Sequence, residues 1–197
     1  MAKEPTGKPS ARERLLAASD ELFYNEGIHT VGIDRVIEKA GVAKGSLYYI
    51  FGGKDQLIEA YLFNRHHAWM ETVQAGIDNA TTAQEKILAV FDVLGDLFSR
   101  PDFRGCAFMN ATAEARPGSP EELAAGKFRD WVHTLFGELA TSAGAIDPDV
   151  LTRQLVILYD GATTTAQMDK APESAATARM MVGLVLSATT FAEPALA

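Results

Sequence analysis

The chain has 197 residues, of which 47% are hydrophobic and 22% charged, and its formal net charge is −8. This composition is too apolar for a disordered chain, and no stretch reaches the roughly 18 unbroken apolar residues of a membrane span. A single cysteine, Cys106, excludes an internal disulfide and a multi-cysteine zinc site, and is typical of a reducing compartment. Residues 1–9 are polar and lack the apolar run of a secretory signal. We therefore expect a cytoplasmic protein without a membrane partner.

The charge is unevenly distributed along the chain. Residues 1–54 carry eight Lys/Arg and seven Asp/Glu, so the remainder carries ten and nineteen. The acidic excess therefore lies in the second part of the chain. A nucleic-acid-binding segment near the N-terminus is compatible with this distribution, although the distribution gives it little support.

The first predicted helix begins at Ser10, which forms a capping box with Glu13, and it ends at Gly27. A short helix is predicted over 33–40, where apolar residues recur at the spacing of one buried helical face: Ile33, Val36, Ile37 and Ala40. Gly41 supplies the positive φ that ends this helix. A second short helix follows over 44–51. Helix, glycine-containing turn and second helix form a helix-turn-helix, whose second helix enters the DNA major groove.

The rest of the chain also reads as helical, without hairpin signals between alternating strands. A long helix is predicted from Lys54 to about Asp78, and further helices over about 82–100, 104–115, 119–142, 147–170 and 173–191. We expect an all-α protein of about nine helices. A tail over 1–9 would precede a three-helix helix-turn-helix domain over 10–54. A larger C-terminal helical bundle over 55–197 would serve ligand binding and dimerisation.

An ordered set of residues over about 10–60 resembles the TetR family of bacterial transcriptional regulators. The residues that carry the resemblance are Arg14-Leu15-Leu16-Ala17-Ala18, Leu22-Phe23, Glu26-Gly27-Ile28, Ala40-Gly41-Val42 and Lys44-Gly45-Ser46-Leu47-Tyr48-Tyr49, with Phe51 and Lys54. A weaker similarity to ligand domains of one branch of that family covers 104–111 with Glu114. The resemblance implies a homodimeric repressor that binds a near-palindromic DNA operator. A small, largely apolar effector in the C-terminal bundle would release the DNA, and no cofactor is implied.

On the matching positions, the expected DNA-binding residues are Lys44, Gly45, Ser46, Tyr48, Tyr49 and Lys54. Lys44 can donate to guanine O6 and N7, and Lys54 at a helix start suits a phosphate. Tyr49 is expected to lie partly in the core. Two positions depart from the family pattern: Ile50 stands where a polar aromatic residue is common, and Gly32 where a Ser or Thr cap is usual.

The last two predicted helices carry apolar and small residues along one side, which suits a two-fold four-helix interface. The expected dimerisation residues are Leu155, Leu158, Ala162, Met181 and Leu184. Ordinary packing within one chain is the alternative for this pattern, and the family resemblance favours the dimer.

A pocket is expected among the middle helices. Its candidate lining residues are Phe91, Phe98, Met109, Phe128, Trp131 and Leu135, with Asn110 and Glu114 as polar groups that orient the ligand. Aromatic residues at helical spacing are also typical of a plain core, and the two polar groups could equally cap neighbouring backbone.

Two other classes of function compete with the regulator. One is a protein–protein adaptor that keeps the fold without binding DNA, against which Lys44, Tyr48 and Lys54 argue. The other is an enzyme using a Cys106–His133 nucleophile pair, for which no third orienting group is identifiable. Adjacent His66 and His67 point apart on a helix, so no metal site is expected there.

Overall fold

The computed structural model describes residues 8–113 and 115–192, and this part of the chain forms nine helices. They are α1 (Ala11–Glu26), α2 (Ile33–Ala40), α3 (Lys44–Phe51), α4 (Lys54–Ile77), α5 (Ala83–Phe98), α6 (Ala107–Thr112), α7 (Pro120–Ser142), α8 (Pro148–Met168) and α9 (Ser174–Ala188). The only β pairing in these residues is one bridge between Ala145 and Phe191. The all-α prediction is confirmed. Most of the predicted tail, residues 1–7, lies outside the described residues.

Side-chain caps fix the starts of four helices where the sequence predicts them. In α1, the Ser10 amide donates to Glu13 Oε2 at 2.7 Å, and the Glu13 amide donates to Ser10 Oγ at 3.2 Å. These bonds satisfy two of the backbone donors that a helix start leaves unpaired. The N-cap residues of α5, α7 and α8 accept in the same way: Thr82, Ser119 and Asp147.

Helices α1–α3 form a compact N-terminal unit, which we call the reading head. Gly41 closes α2 in the left-handed conformation with φ of 61°, which glycine adopts without strain. Arg14 of α1 donates from Nη1 to the carbonyl oxygens of Ala40 at 3.1 Å and of Gly41 at 2.9 Å. A cation thus satisfies carbonyl groups at the C-terminal end of α2. Through Arg14, α1 holds the turn that aims α3.

Helix α4 joins the reading head to the bundle. It packs against α1 on one side and against α5 and α7 on the other. Helices α8 and α9 pack on each other; α8 also packs on α7, and α9 on α5. Its buried face toward these neighbours includes Leu57, Tyr61, Leu62 and Val73. In the described part of the chain, no helix is both long enough and apolar enough to cross a membrane.

Two helices are shorter than predicted. The segment Arg104–Cys106 is not helical, because Gly105 has φ of 90° and α6 begins only at Ala107. Helix α9 ends at Ala188, and Phe191 then pairs with Ala145 instead of extending the helix. In both cases the chain makes contacts with distant segments that helical periodicity does not encode.

Candidate DNA-reading face and ligand cavity

Helix α3 presents one face to the core and the other to solvent. Leu47 and Phe51 are buried, whereas Tyr48 is 47% and Tyr49 92% exposed. Tyr49 therefore lies outside the core, which corrects the expectation that it is partly buried. A Cβ added at Gly45 would meet no atom within 4 Å, so the middle of this face is open to a close partner.

Lys44 lies on the same face and is held by an ion pair. Its Nζ donates to Asp34 Oδ1 at 2.8 Å, and both side chains are largely exposed. The hydrogen bond from Lys44 to the Asp34 carboxylate raises the pKa of the lysine, so Lys44 stays charged. A DNA contact by Lys44 requires this ion pair to open or to be shared.

Other cations of the reading head are also paired. Arg35 donates to both carboxylate oxygens of Glu26, with Nη2 at 2.8 Å from Oε1, and Lys39 Nζ lies 2.7 Å from Glu21 Oε1. Lys54, half-buried at the start of α4, has no carboxylate within ion-pair distance in residues 8–113 and 115–192. The head therefore offers few uncommitted positive charges to phosphates.

A cavity of about 780 Å³ lies between the reading head and the bundle. Its walls come from α1, α4, α5, α6, α7 and α8 and from the segment between α5 and α6. The apolar part of the wall includes Leu16, Leu94, Leu97, Phe103, Phe108 and Phe128. The size and the mixed lining fit a small-molecule site.

Only some of the predicted pocket residues line this cavity. Met109 and Phe128 do, whereas Phe91 and Phe98 are packed in the core at 1% and 5% exposure.

Trp131 and Leu135 line a separate, shallower groove of about 230 Å³ on the other side of α4. Asn110 is exposed and links the segment before α6 to α8, since its Nδ2 donates to the Arg104 carbonyl and its Oδ1 accepts from the Gln167 side-chain Nε2 at 2.8 Å. Asn110 is not among the residues that line the cavity. Glu114 lies outside the described residues.

Tyr24 connects α1 to the wall of the cavity. Its hydroxyl accepts from the Arg104 amide at 2.8 Å and donates to the Gly105 carbonyl at 2.9 Å. The guanidinium of Arg65 from α4 lies 3.8 Å above the Tyr24 ring and donates to both oxygens of Asp20 at 2.6 and 2.9 Å. We call Tyr24, Arg65 and Asp20 the latch, because they join the reading head, α4 and the segment before α6.

Further polar groups line the cavity on the bundle side. Arg129 of α7 donates to Asp160 of α8 at 2.7 Å, and Trp69 Nε1 of α4 donates to the Tyr159 hydroxyl at 2.9 Å. Burial raises the pKa of both Tyr159 and Tyr61. For Tyr61, the positive charge of Arg65 has a smaller, lowering effect on the pKa. Both phenols are therefore neutral hydrogen-bonding groups at any physiological pH.

Cys106 faces this cavity, and burial raises the pKa of its thiol. A raised thiol pKa lowers the fraction of reactive thiolate. His133 is exposed on α7, and no hydrogen bond joins it to Cys106 in the described residues, so the geometry gives no sign of an activated nucleophile. Nor do the described residues contain a cluster of three metal-ligating side chains.

His66 lies behind the cavity wall among three aromatic rings. The ring centroids of Phe108, Phe128 and Trp131 are 6.0, 5.6 and 5.5 Å from that of the imidazole. Its Nε2 is the one enclosed side-chain nitrogen or oxygen of the described residues that lacks a hydrogen-bond partner. Burial, with a smaller effect of His67, lowers the pKa of His66, so the imidazole is held neutral.

The exposed side of α8 and α9 carries large apolar residues together with polar ones such as Arg153 and Gln154. Ile157 is 70% exposed, and Met180, Met181 and Leu184 are 67%, 45% and 62% exposed. Leu155 and Ala162, expected at the dimer interface, are instead buried within the protomer at 0% and 5%. Leu155 and Ala162 thus lie on the side of α8 that faces the core of the protomer, whereas Ile157 lies on its exposed side. Leu158 is half-buried between these two sides.

Sequence reasoning missed most of the polar cavity residues. Tyr61 and Tyr159 were detectable in principle, because each places a hydroxyl within an otherwise apolar buried row. Tyr24 and Arg65 were not, since their partners lie 80 and 45 residues away in sequence.

Together the fold and these sites define a helix-turn-helix DNA-binding regulator with a ligand cavity in its helical bundle. Residues 15–61 match the bacterial regulatory proteins of the tetR family, and residues 83–182 match the tetracyclin repressor-like C-terminal domain. The chain belongs to the TetR family of transcriptional regulators.

Solved structures of relatives agree with this assignment. A TetR-family transcriptional regulator from Streptomyces coelicolor is 37% identical, with 90% of this chain and 95% of that chain covered and a TM-score of 0.85. A TetR-type regulator from Streptomyces avermitilis is 30% identical over 93% and 100% of the two chains, with a TM-score of 0.83. Among characterised relatives, the regulator SrpR of Pseudomonas putida is 29% identical over 89 residues, which span 38% of this chain and only 42% of SrpR.

Proposed function

We propose that this protein is a repressor that binds a near-palindromic operator as a homodimer and releases it when a small molecule fills the cavity. The observation that carries this proposal is the composition of the cavity wall. Helix α1 of the reading head contributes Leu16, Ala17, Asp20 and Tyr24 to the same cavity that the bundle encloses. A ligand there contacts the DNA-binding unit directly.

The latch gives a route from ligand to DNA. Tyr24 and Asp20 belong to α1, and their partners belong to the segment before α6 and to α4. A ligand that shifts this segment changes the position of α1, and through Arg14 the position of the turn before α3. Because a ligand shifts an equilibrium only by its differential affinity for the two states, ligand and operator must weaken each other's binding reciprocally.

The exposed face of α3 supports DNA reading. Tyr48 and Tyr49 are accessible, Gly45 leaves room for close approach, and Lys44 is exposed. Phosphate contacts by Lys54 would position the head. The few uncommitted cations favour a shallow dependence of affinity on salt, since each neutralised phosphate adds to the slope.

The outward face of α8 and α9 supports a homodimer. Ile157, Met180, Met181 and Leu184 are exposed on two helices that pack on each other, and exposed apolar residues that cluster mark interaction sites. Two copies related by a two-fold axis would each bury this surface against the other. Two reading heads then meet two half-sites, which matches a near-palindrome.

The test is selection of bound fragments from sheared genomic DNA, followed by sequencing, with a Lys44→Ala/Tyr48→Ala protein in parallel. The expected result is an enriched near-palindrome that the double variant loses while its helical content and oligomeric state are unchanged. Leu47 and Phe51, which hold α3 in the core, are left intact for this reason.

Two outcomes would contradict the proposal. No enrichment at low salt from a verified dimer would favour a protein–protein adaptor that keeps the fold. Enrichment that survives the double substitution would place DNA reading on another surface.

A further inference from the structure

The cavity carries a hydroxyl that nothing in the described protein satisfies. Tyr61 of α4 is 2% exposed and lines the cavity, and its hydroxyl makes no hydrogen bond within residues 8–113 and 115–192. Among these residues, His66 Nε2 is the one side-chain nitrogen or oxygen that is both fully enclosed and without a hydrogen-bond partner. The unpaired Tyr61 oxygen is therefore not fully enclosed. Since Tyr61 lines the cavity, its oxygen is accessible from the cavity. A phenol that donates to no protein group offers its proton to whatever fills the cavity.

Tyr159 of α8 provides a second unused donor. It is 5% exposed, it lines the cavity, and its oxygen accepts from Trp69 Nε1 at 2.9 Å. Among the residues that the structure describes, no acceptor receives the Tyr159 proton. The bond from Trp69 fixes the position of the oxygen, so the hydroxyl is pre-oriented. Tyr61, Tyr159 and Cys106 all line this one cavity.

The half-buried charged residues that line the cavity are paired, whereas the other charged lining residues are exposed: Arg12, Glu13, Arg100 and Asp102. Arg129 is paired with Asp160, and Arg65 with Asp20. An anionic group placed beside these two pairs, away from the exposed Arg12 and Arg100, would either break a pair or bury a charge without a counter-ion, and both are costly. The inner surface thus favours an uncharged ligand that is mainly apolar and that accepts hydrogen bonds.

We infer that the effector is a neutral, largely apolar molecule with a carbonyl or equivalent acceptor oxygen, which accepts hydrogen bonds from the Tyr61 and Tyr159 hydroxyls. This inference rests on the proposed ligand response and specifies its chemistry. The two hydroxyls orient the molecule through its acceptor oxygen, and its apolar body lies against Leu16, Phe103 and Phe108.

Three probe molecules of nearly one shape test the inference by equilibrium dialysis against the full chain. Benzophenone is neutral and has a carbonyl acceptor, diphenylmethane lacks the acceptor, and 4-benzoylbenzoate adds a negative charge. Since a neutral hydrogen bond contributes about three- to tenfold in affinity, benzophenone should bind about three- to tenfold or more above diphenylmethane. The benzoate should bind at least about tenfold more weakly than benzophenone.

Tyr61→Phe and Tyr159→Phe should each shrink the preference for benzophenone over diphenylmethane. Tyr61→Phe is the cleaner variant, because it removes no hydrogen bond of the described protein. Thr72→Val is the matched control: Thr72 also lines the cavity, but its hydroxyl already donates to the Ala68 carbonyl at 2.8 Å. This control should keep the wild-type preference.

Any of four results would overturn the inference. In the wild-type protein these are equal binding of benzophenone and diphenylmethane, tightest binding of the benzoate, or no binding of any probe. The fourth is an unchanged preference for benzophenone in Tyr61→Phe and Tyr159→Phe. Titration of the selected operator with the unliganded protein is run separately. Its failure would count against the repressor, whereas the probe preference reports on the cavity alone.

Discussion

The substitution Tyr24→Phe tests whether the latch holds the reading head on the bundle. It keeps the aromatic ring and the Arg65 guanidinium stacked 3.8 Å above it. It removes the hydroxyl that accepts from the Arg104 amide and donates to the Gly105 carbonyl. The loss is therefore confined to two hydrogen bonds between α1 and the segment before α6.

The expected cost follows from the number and exposure of these bonds. Each neutral hydrogen bond contributes about 0.5–1.5 kcal/mol net, so the variant should lose about 1–3 kcal/mol in free energy of unfolding. The value should fall in the lower half of this range, because the bond from the Arg104 amide is exposed and water can replace the hydroxyl there. The coupling between ligand and operator should decrease as well, since the lost bonds join the cavity wall to α1.

Urea denaturation at one fixed protein concentration measures the first effect, because the proposed dimerisation would make the apparent stability depend on concentration. Operator titration with and without benzophenone measures the second. Tyr49→Phe is the stability control: Tyr49 is 92% exposed, so loss of its hydroxyl should leave the free energy of unfolding unchanged. A Tyr24→Phe protein as stable as the control, with undiminished ligand response, would refute the role assigned to the latch.

Three further predictions concern the reading head, the outward face and pH. Asp34→Asn should strengthen operator binding measured by fluorescence anisotropy, because it frees Lys44; an equal gain in a Lys44→Ala background would show that Asp34 acts otherwise. Leu184→Glu should give monomers in analytical ultracentrifugation and abolish operator binding, whereas Leu184→Met should remain dimeric; a dimeric Leu184→Glu protein would exclude this face. His66 has a lowered pKa, so below about pH 6.5 the unfolded chain takes up the proton first. Stability should therefore fall as the pH drops through this window, and less so in His66→Phe; equal pH profiles in urea denaturation would argue against this.

Local features of the fold were predictable because their causes lie within a few residues. The Ser10–Glu13 capping box and the left-handed Gly41 follow from neighbouring residue types, and both are observed. The resemblance over 10–60 also pointed to the correct family. The α6 boundary was not predictable, because Gly105 takes its conformation in a segment held by Tyr24.

The cavity could be anticipated as a kind of site but not as a set of residues. Helical spacing identifies which side of a helix is buried, yet it does not say what that side packs against. Phe91 and Trp131 illustrate the limit: one contacts Phe136 in the core, and the other lines a groove across α4 from the cavity. The same ambiguity led to Leu155 as an expected interface residue of α8, although Leu155 is buried within the protomer and Ile157 is exposed.

The contribution of α1 to the cavity wall has a consequence for protein engineering. Exchange of DNA-binding heads between homologous regulators assumes that a cut near residue 54 separates two independent modules. In this chain such a cut would separate Leu16, Asp20 and Tyr24 from the rest of the cavity wall, and the residues of another head would replace them. A chimera would thus acquire a new sensor specificity along with its new promoter, unless these α1 positions were grafted back.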